Sequence, residues 1–307
     1  MTRSNRSGSK PWLALDGLSA IGLALGGCLL ALALTACDKS AAPPRQAKES
    51  AVHQLDELTS AQRRVFLKGF PGDWRADTAM ARGQTEPPAA LPVPPDSTIV
   101  DLPAAAAAEM PLTEAITRRR SRRAFTADSL TLPQLSFLLA STQGVTHRVR
   151  ADSGDVTLQG RATPSGGGRY PLETFLAVQR VAGLEPGLYR YLPPRHQLLL
   201  IRQDSGIGAN LQRACYGDAS VGAAAVTFIW AAVPERTEWK YGCIAHKLVA
   251  IEAGHVCQNL YLASEAIGAG TCALLSYHQP ALDALIGADG NDVFAIYLAV
   301  VGKPREE

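Results

Sequence analysis

"KYGCIAHKLVAIEAGHVCQNLYLASEAIGAGTCALLS", Lys240 to Ser276, decides the architecture of this chain. From about Gly242 to Ile267 it reads as one helix, apolar nearly all round, and such a helix belongs in the middle of a fold. The glycines of "IGAGT" end it, and "TCALLS" continues as a buried strand. Glu252, His255 and Asn259 fall at i, i+3 and i+7, on one face of the helix. A Glu-x-x-His pair is half of a carboxylate-bridged di-iron site, but a second pair is missing from the chain. A satisfied buried polar stripe is the expectation, with no metal.

Working outward, "TFLAVQRV", "GLYRYL", "HQLLLIR", "AAAVTFIWAAV" and "VFAIYLAVV" read as strands bounded by Gly and Pro. "PLTEAITRR" reads as a helix with Thr113 as its N-cap, "TLPQLSFLLAST" as a second with Pro133 in its first turn, and "PALDALIG" as a third. The order is not a regular alternation of strand and helix. It predicts an α+β domain over residues 110–307, a mixed or antiparallel central sheet packed around the long buried helix.

Upstream lie two segments of different composition. Arg3, Arg6 and Lys10 precede an apolar run from Leu18 to Leu34 that ends in "LTAC". A charged start, an apolar middle and small residues before the end make a secretory signal, residues 1–36. "LTAC" resembles the lipobox of bacterial lipoproteins, which implies lipidation of Cys37 and a bilayer anchor. An intact membrane-spanning helix is the alternative, for which the run is glycine-rich and barely long enough. Asp38 resembles the inner-membrane retention signal of enteric lipoproteins, so the expected address is the periplasmic face of the inner membrane. Residues 37–109 read as a Pro/Ala-rich tether with a short helix near Ala51–Lys68, and the prolines between Pro87 and Pro103 favour a semi-rigid spacer. "QRRVFLK" (Gln62–Lys68) looks like a twin-arginine export motif but precedes no apolar run, and reads as a surface helix end.

The chain of 307 residues carries a net charge of +2 and only 6% aromatics, which argues against nucleic acid as a partner. Cys215, Cys243, Cys257 and Cys272 include no C-x-x-C, and the two in apolar runs, Cys257 and Cys272, read as buried free thiols.

The charge is local instead. "RRRSRRAF" (Arg118–Phe125) contains Arg119, Ser121 and Arg123 at alternate positions, which an extended segment projects from one side. Two guanidiniums and a hydroxyl meeting there suit a phosphate; a solvated basic loop is the other reading. Arg118, Arg120 and Arg122 are then solvated or helix-end charges. "RATPSGGGRYPLETFLAV" (Arg161–Val178) places Pro164, Ser165, Gly166 and Gly168 where a backbone approaches a ligand closely and offers N–H donors, or simply turns. It lacks the lysine of a Walker loop.

Together "RRSRRAF", "TPSGGGRYPLE", "GLYRYLPPRHQLLLI", "KYG", "IEAGHVCQNLYLASEAIGAGT" and "VGKPR" resemble the flavin-dependent nitroreductase superfamily, and within it the SagB/ThcOx-type dehydrogenases, over about Pro111–Arg305. The resemblance implies a nitroreductase-like fold, non-covalent FMN, and two-electron hydride transfer through flavin N5. It implies that Arg119, Ser121 and Arg123 hold the phosphate and the polar flavin edge. Pro164, Ser165, Gly166 and Gly168 then lie beside the ring system, Gly268 and Gly270 face it, and Lys303 and Arg305 reach the phosphate. Lys240 and Tyr241 match a pair implicated in proton abstraction, which suits a phenol beside an ammonium. Their other reading is a surface pair at a helix start. "AHK" (Ala245–Lys247) replaces an arginine-tyrosine run, and only four residues follow Lys303, so the strand exchange common in family dimers is in doubt. The expected partners are a small-molecule or peptide-like substrate, a membrane through the lipid anchor, and a second copy. An NAD(P)H-dependent nitro or quinone reductase and a non-catalytic flavin-binding lipoprotein remain alternatives.

Overall fold

Strand pairing organises the molecule in the computed structural model, which describes residues 58–69, 72–105, 108–150 and 156–305. The elements run β1 (Ile99–Asp101), α1 (Leu112–Arg118), β2 (Leu130–Thr131), α2 (Leu132–Gln143), β3 (Val145–Arg150), β4 (Val156–Arg161) and β5 (Leu172–Val178). Then come β6 (Val181–Ala182), β7 (Gly187–Leu192), β8 (Gln197–Gln203), α3 (Ile207–Ala214), α4 (Ala219–Ala223), β9 (Val226–Ala232) and α5 (Glu235–Tyr241). The chain ends with α6 (Ala245–Ala266), β10 (Gly270–Leu274), α7 (Gln279–Ile286) and β11 (Phe294–Gly302). The main sheet has the order β1-β8-β7-β5-β9-β11-β10, and every pair in it is antiparallel. β2 and β6 form a short parallel pair and β3 and β4 an antiparallel ribbon.

Both faces of the sheet are covered, which explains why β5 and β9 are buried at every position, Glu173, Thr174 and Thr227 included, instead of alternating. Leu176, Val178, Phe228 and Trp230 face α2 and α6 in one core cluster. Phe175, Ala177, Ile229 and Ala231 face α3 and α7 in the other. The α+β reading therefore holds, with helices on each side of an antiparallel sheet.

Three local readings change. Helix α1 begins two residues earlier than expected, with Pro111 at the N-cap and no side-chain cap, so Thr113 lies inside the helix. Helix α6 buries only one side: Val249, Ala253, Val256 and Leu260 point inward, while His246, Ile251, Gly254, His255 and Gln258 are exposed. Ile251 and Gly254 made the open face read as apolar, although His246, His255 and Gln258 share it. His255 thereby separates from buried Glu252, so the polar stripe is broken.

The chain divides into two compact units at Val65/Phe66, upstream of the boundary expected at residue 110. In the first, the described part is a helical turn, Ser60–Arg63, closed by a Thr59–Gln62 capping box. The second holds the sheet and also residues 72–103, which pack on it where a free spacer was expected. Proline lacks an N–H but keeps its carbonyl, and buried arginines take up these carbonyls: Arg236 Nε donates to Pro88 O at 2.9 Å and Arg190 to Pro92 O at 2.8 Å. The signal segment 1–36 and Cys37 lie outside the described residues, among which no helix is long and apolar enough to cross a membrane. Cys215, Cys257 and Cys272 are buried free thiols and Cys243 is an exposed one.

Candidate active site

Two groups of the expected residues assemble at different stations of α6. The first surrounds its C-terminal half. The basic segment leaves α1 and is stitched between β10 and the end of β11: Ser121 bridges Thr271, Phe125 bridges Pro304, and Arg122 N–H donates to Thr271 O at 3.0 Å. Arg305 N–H reaches Ala124 O at 3.1 Å and its Nε reaches Phe125 O at 2.9 Å. This pairing brings Arg119, Ser121 and Arg123 beside Gly268, Gly270, Lys303 and Arg305, segments far apart in sequence.

Tyr261, on α6, is the hub that sequence reasoning missed. The Arg119 guanidinium lies 5.3 Å from its ring centre, Ser121 Oγ is 3.1 Å from its hydroxyl, and that hydroxyl accepts Ala273 N–H at 2.8 Å. Its position inside "QNLYLASEA" reads as one more apolar residue, so nothing in the periodicity marks it. Arg122 is not a solvated charge as expected: it pairs with buried Glu265 at 3.3 Å, and its side chain fills the space a Cβ on Gly270 would need. Arg118 pairs with Glu114 one helical turn away at 2.8 Å, as a helix-end charge does. Among the described residues, Arg119, Arg123, Lys303 and Arg305 form no ion pair. Gly268 holds φ +65° with open space where a side chain would stand. A set of unneutralised cations beside an open glycine turn fits the phosphate end of a mononucleotide.

The second group surrounds the N-terminal half of α6. Gly167 (φ +61°) and Gly168 (φ +67°) turn the loop after Ser165. A Cβ on Gly167 would lie 2.7 Å from the Tyr241 hydroxyl and 3.0 Å from Lys240 Nζ, so only glycine lets both groups reach the loop. Gly167 was passed over in favour of its neighbours, and only its central place among three glycines marked it. Below the loop, buried Glu252 accepts Ser165 Oγ–H at 2.7 Å, while Ser165 Oγ accepts Tyr170 N–H at 2.8 Å. Burial pushes the Glu252 carboxyl up to about 7 against the hydrogen bond from Ser165, the nearby Arg161 cation and the Gly166 N–H. Its Oε1 has no hydrogen-bond partner. The loop's donors are therefore partly used internally: Gly166 N–H faces Glu252 and Gly168 N–H bonds Ser165 O at 3.1 Å. The expectation of a loop that offers amides to a ligand gives way to one held down by a buried acid. Pro164 is exposed at its entrance.

Glu252 and Tyr261 are nine residues apart on α6, so the two groups stand about 13 Å apart along its axis. Among the described residues no hydrogen bond or ion pair joins them directly.

The sequence profile of the Nitroreductase family matches residues 116–303, more than half of the chain, from the last turn of α1 to the end of β11. The chain belongs to the nitroreductase family. It is an FMN-dependent oxidoreductase, of the fold expected. MJ1384 of Methanocaldococcus jannaschii, assigned as a nitroreductase, is 35% identical over 171 residues, which cover 56% of this chain and 81% of that protein. Among solved structures, a chain from Anabaena variabilis assigned to nitroreductases superposes with a TM-score of 0.58 at 26% identity. That match covers 69% of this chain and 42% of the other, so this chain spans less than half of the Anabaena protein's length. A similarly assigned chain from Ralstonia eutropha gives 0.56 at 26% identity, covering 70% of this chain and 93% of that one. A chain of the E. coli microcin synthetase McbBCD complex shares the fold at TM-score 0.51 and 17% identity, over 95% of this chain and 100% of that one.

Proposed function

We propose that this family member is a SagB/ThcOx-type dehydrogenase acting on a small-molecule or peptide-like substrate, anchored to a membrane through lipidated Cys37 and working as a homodimer. The convergence of Lys240 Nζ and the Tyr241 hydroxyl on Gly167 carries the chemical assignment. FMN held at this site would supply two-electron hydride chemistry. Loss of hydride from carbon leaves a proton on the neighbouring heteroatom. The Tyr241 hydroxyl is placed to receive it, with Lys240 Nζ beside the same glycine. Arg119, Ser121 and Arg123 would hold the phosphate end with Lys303 and Arg305, and Gly268 leaves room for the ring, while the space at Gly270 is taken by Arg122 instead of the ring expected there.

The assignment of MJ1384 as a nitroreductase favours a second reading, in which NAD(P)H reduces the flavin and a nitro compound or quinone takes the electrons. Anaerobic mixing separates the two. Bleaching of the flavin by an azoline C–H donor, slowed roughly 10²-fold or more in Tyr241→Phe at unchanged flavin content, supports the dehydrogenase. Rapid bleaching by NADPH, insensitive to that substitution, supports the reductase. A colourless protein that cannot be reconstituted with FMN would sink both.

The exposed side of α6 supports the second copy. Ile251 stands 47% exposed there, and Leu112 and Ile116 stand 64% and 54% exposed on α1, whose residues pack against α6. A second copy would cover these exposed apolar side chains.

A further inference from the structure

The family match begins at residue 116, yet a segment from outside it lies against the candidate catalytic pair. The Trp74 ring packs on the ring of Tyr241, centroids 5.3 Å apart and planes inclined by 37°. Thr78, 2% exposed, sits with the Trp74 carbonyl over Gly242, whose φ of +52° turns the chain from α5 towards α6. Downstream the segment is fastened repeatedly. Met80 N–H donates to Trp239 O at 2.8 Å, and Trp239 Nε1–H donates to Gln84 O at 2.8 Å. Glu86 pairs with Arg169, whose guanidinium lies 4.9 Å from the centre of the Trp239 ring. Arg236 Nε holds Pro88 O at 2.9 Å, and Glu173 accepts Leu91 N–H at 3.1 Å.

The cation that grips Pro88 is 1% exposed and also bonds Glu173 at 2.6 Å, so this grip belongs to the core of the domain. A strap fixed by buried charge does not drift, and it delivers Trp74 to one place. Trp74 itself stays half-buried, its indole partly open above Tyr241. An anchored indole beside an acid–base pair is a stacking platform for a flat ring system.

We propose that Trp74 is a specificity-determining residue that forms one wall of the substrate site and favours planar conjugated substrates. The proposal rests on the placement of the substrate at Lys240 and Tyr241 argued above. It makes residues 72–103 a working part of the enzyme, supplied from beyond the shared domain.

The test uses the full chain loaded with FMN, photoreduced anaerobically with EDTA so that no natural donor is needed. Reoxidation is followed with 1,4-naphthoquinone, a flat apolar acceptor, and with ferricyanide, which offers no ring to stack. Trp74→Ala is expected to raise the half-saturating naphthoquinone concentration roughly fivefold while the limiting rate changes less than twofold. Ferricyanide rates stay unchanged, and Trp74→Phe stays within about twofold of the parent for both acceptors. Calorimetric titration of the oxidised protein with 2-naphthoate, which cannot react, should show the same roughly fivefold weakening in Trp74→Ala. Equal naphthoquinone saturation in Trp74→Ala and parent overturns the proposal. So does a joint rise for both acceptors, which makes Trp74 a plug, or a joint fall with lost flavin, which makes it structural. Tyr241→Phe keeps the readings apart. If it leaves C–H oxidation intact while Trp74→Ala still shifts naphthoquinone, the catalytic assignment fails and the wall stands.

Discussion

Glu252 is 4% exposed, and the carboxyl answers to two neighbours, Ser165 through Oε2 and the Gly166 amide. Sequence reading put it in a stripe with His255 and Asn259, but His255 faces outward and Asn259 donates to Ser141 O at 2.9 Å. Its buried setting has a thermodynamic consequence. Burial lifts its pKa from the ordinary 4.5 to about 7, so between these values the folded chain keeps a proton that the unfolded chain has released. Stability must then fall as pH rises through that window, by up to about 3 kcal/mol if the whole shift is expressed. Glu252→Gln keeps an acceptor for Ser165 and cannot ionise. Its melting temperature should therefore change less between pH 5 and pH 8 than the parent's, with the variant relatively more stable at the alkaline end. Parallel pH profiles would show that Glu252 is already ionised in the folded protein.

At the scale of elements, the strands were the easiest to read. Their largely apolar runs report a sheet covered on both faces, and the limits of β7 and β8 follow the runs closely. Helix α6 was legible in extent but not in orientation. Ile251 and Gly254 satisfy an apolar pattern although they are exposed, so the polar marks of the open face, His255 and Gln258 at i and i+3, were outweighed by the apolar residues around them. The proline-rich segment was read correctly as extended and incorrectly as a free spacer, since its Ile99–Asp101 joins the sheet as β1. Its other partners include single buried arginines from distant elements, and no local pattern announces a carbonyl acceptor 148 residues away. The site was legible where spacing carried it, at Arg119, Ser121, Arg123 and the triple glycine, and illegible at Tyr261 and Trp74, which act only through tertiary contact. The open face of α6 yields a prediction of its own. Ile251→Lys and Ile116→Lys each set a charge in the proposed apolar contact, and should weaken the homodimer at least roughly tenfold in sedimentation velocity. Sedimentation identical to the parent would remove this face as the interface.

At the scale of the whole molecule, the strap changes what can act as a spacer. If residues 72–103 belong to the domain, and Lys247 Nζ already holds Leu67 O at 2.7 Å, only the chain between Cys37 and Leu67 can separate it from a membrane. Fully extended, those 30 steps reach at most about 110 Å, and any folding shortens them. The proposed anchor thus joins the enzyme upstream of the element that shapes its site, and no residue of the flavin or substrate site lies on the anchoring side. Release from the membrane should accordingly leave the chemistry untouched. Cys37→Ala is expected to move the protein from the membrane fraction to the soluble fraction, with FMN content and naphthoquinone reoxidation rates within about twofold of the parent. The prediction has two separable parts, read by fractionation and by kinetics. A Cys37→Ala chain that stays with the membrane means the apolar run of Leu18–Leu34 holds it there as a helix, and the lipobox reading is wrong. A chain that is released but changes its acceptor preference means the segment upstream of Trp74 transmits tension to the strap, so that anchorage and specificity are coupled through the indole on Tyr241.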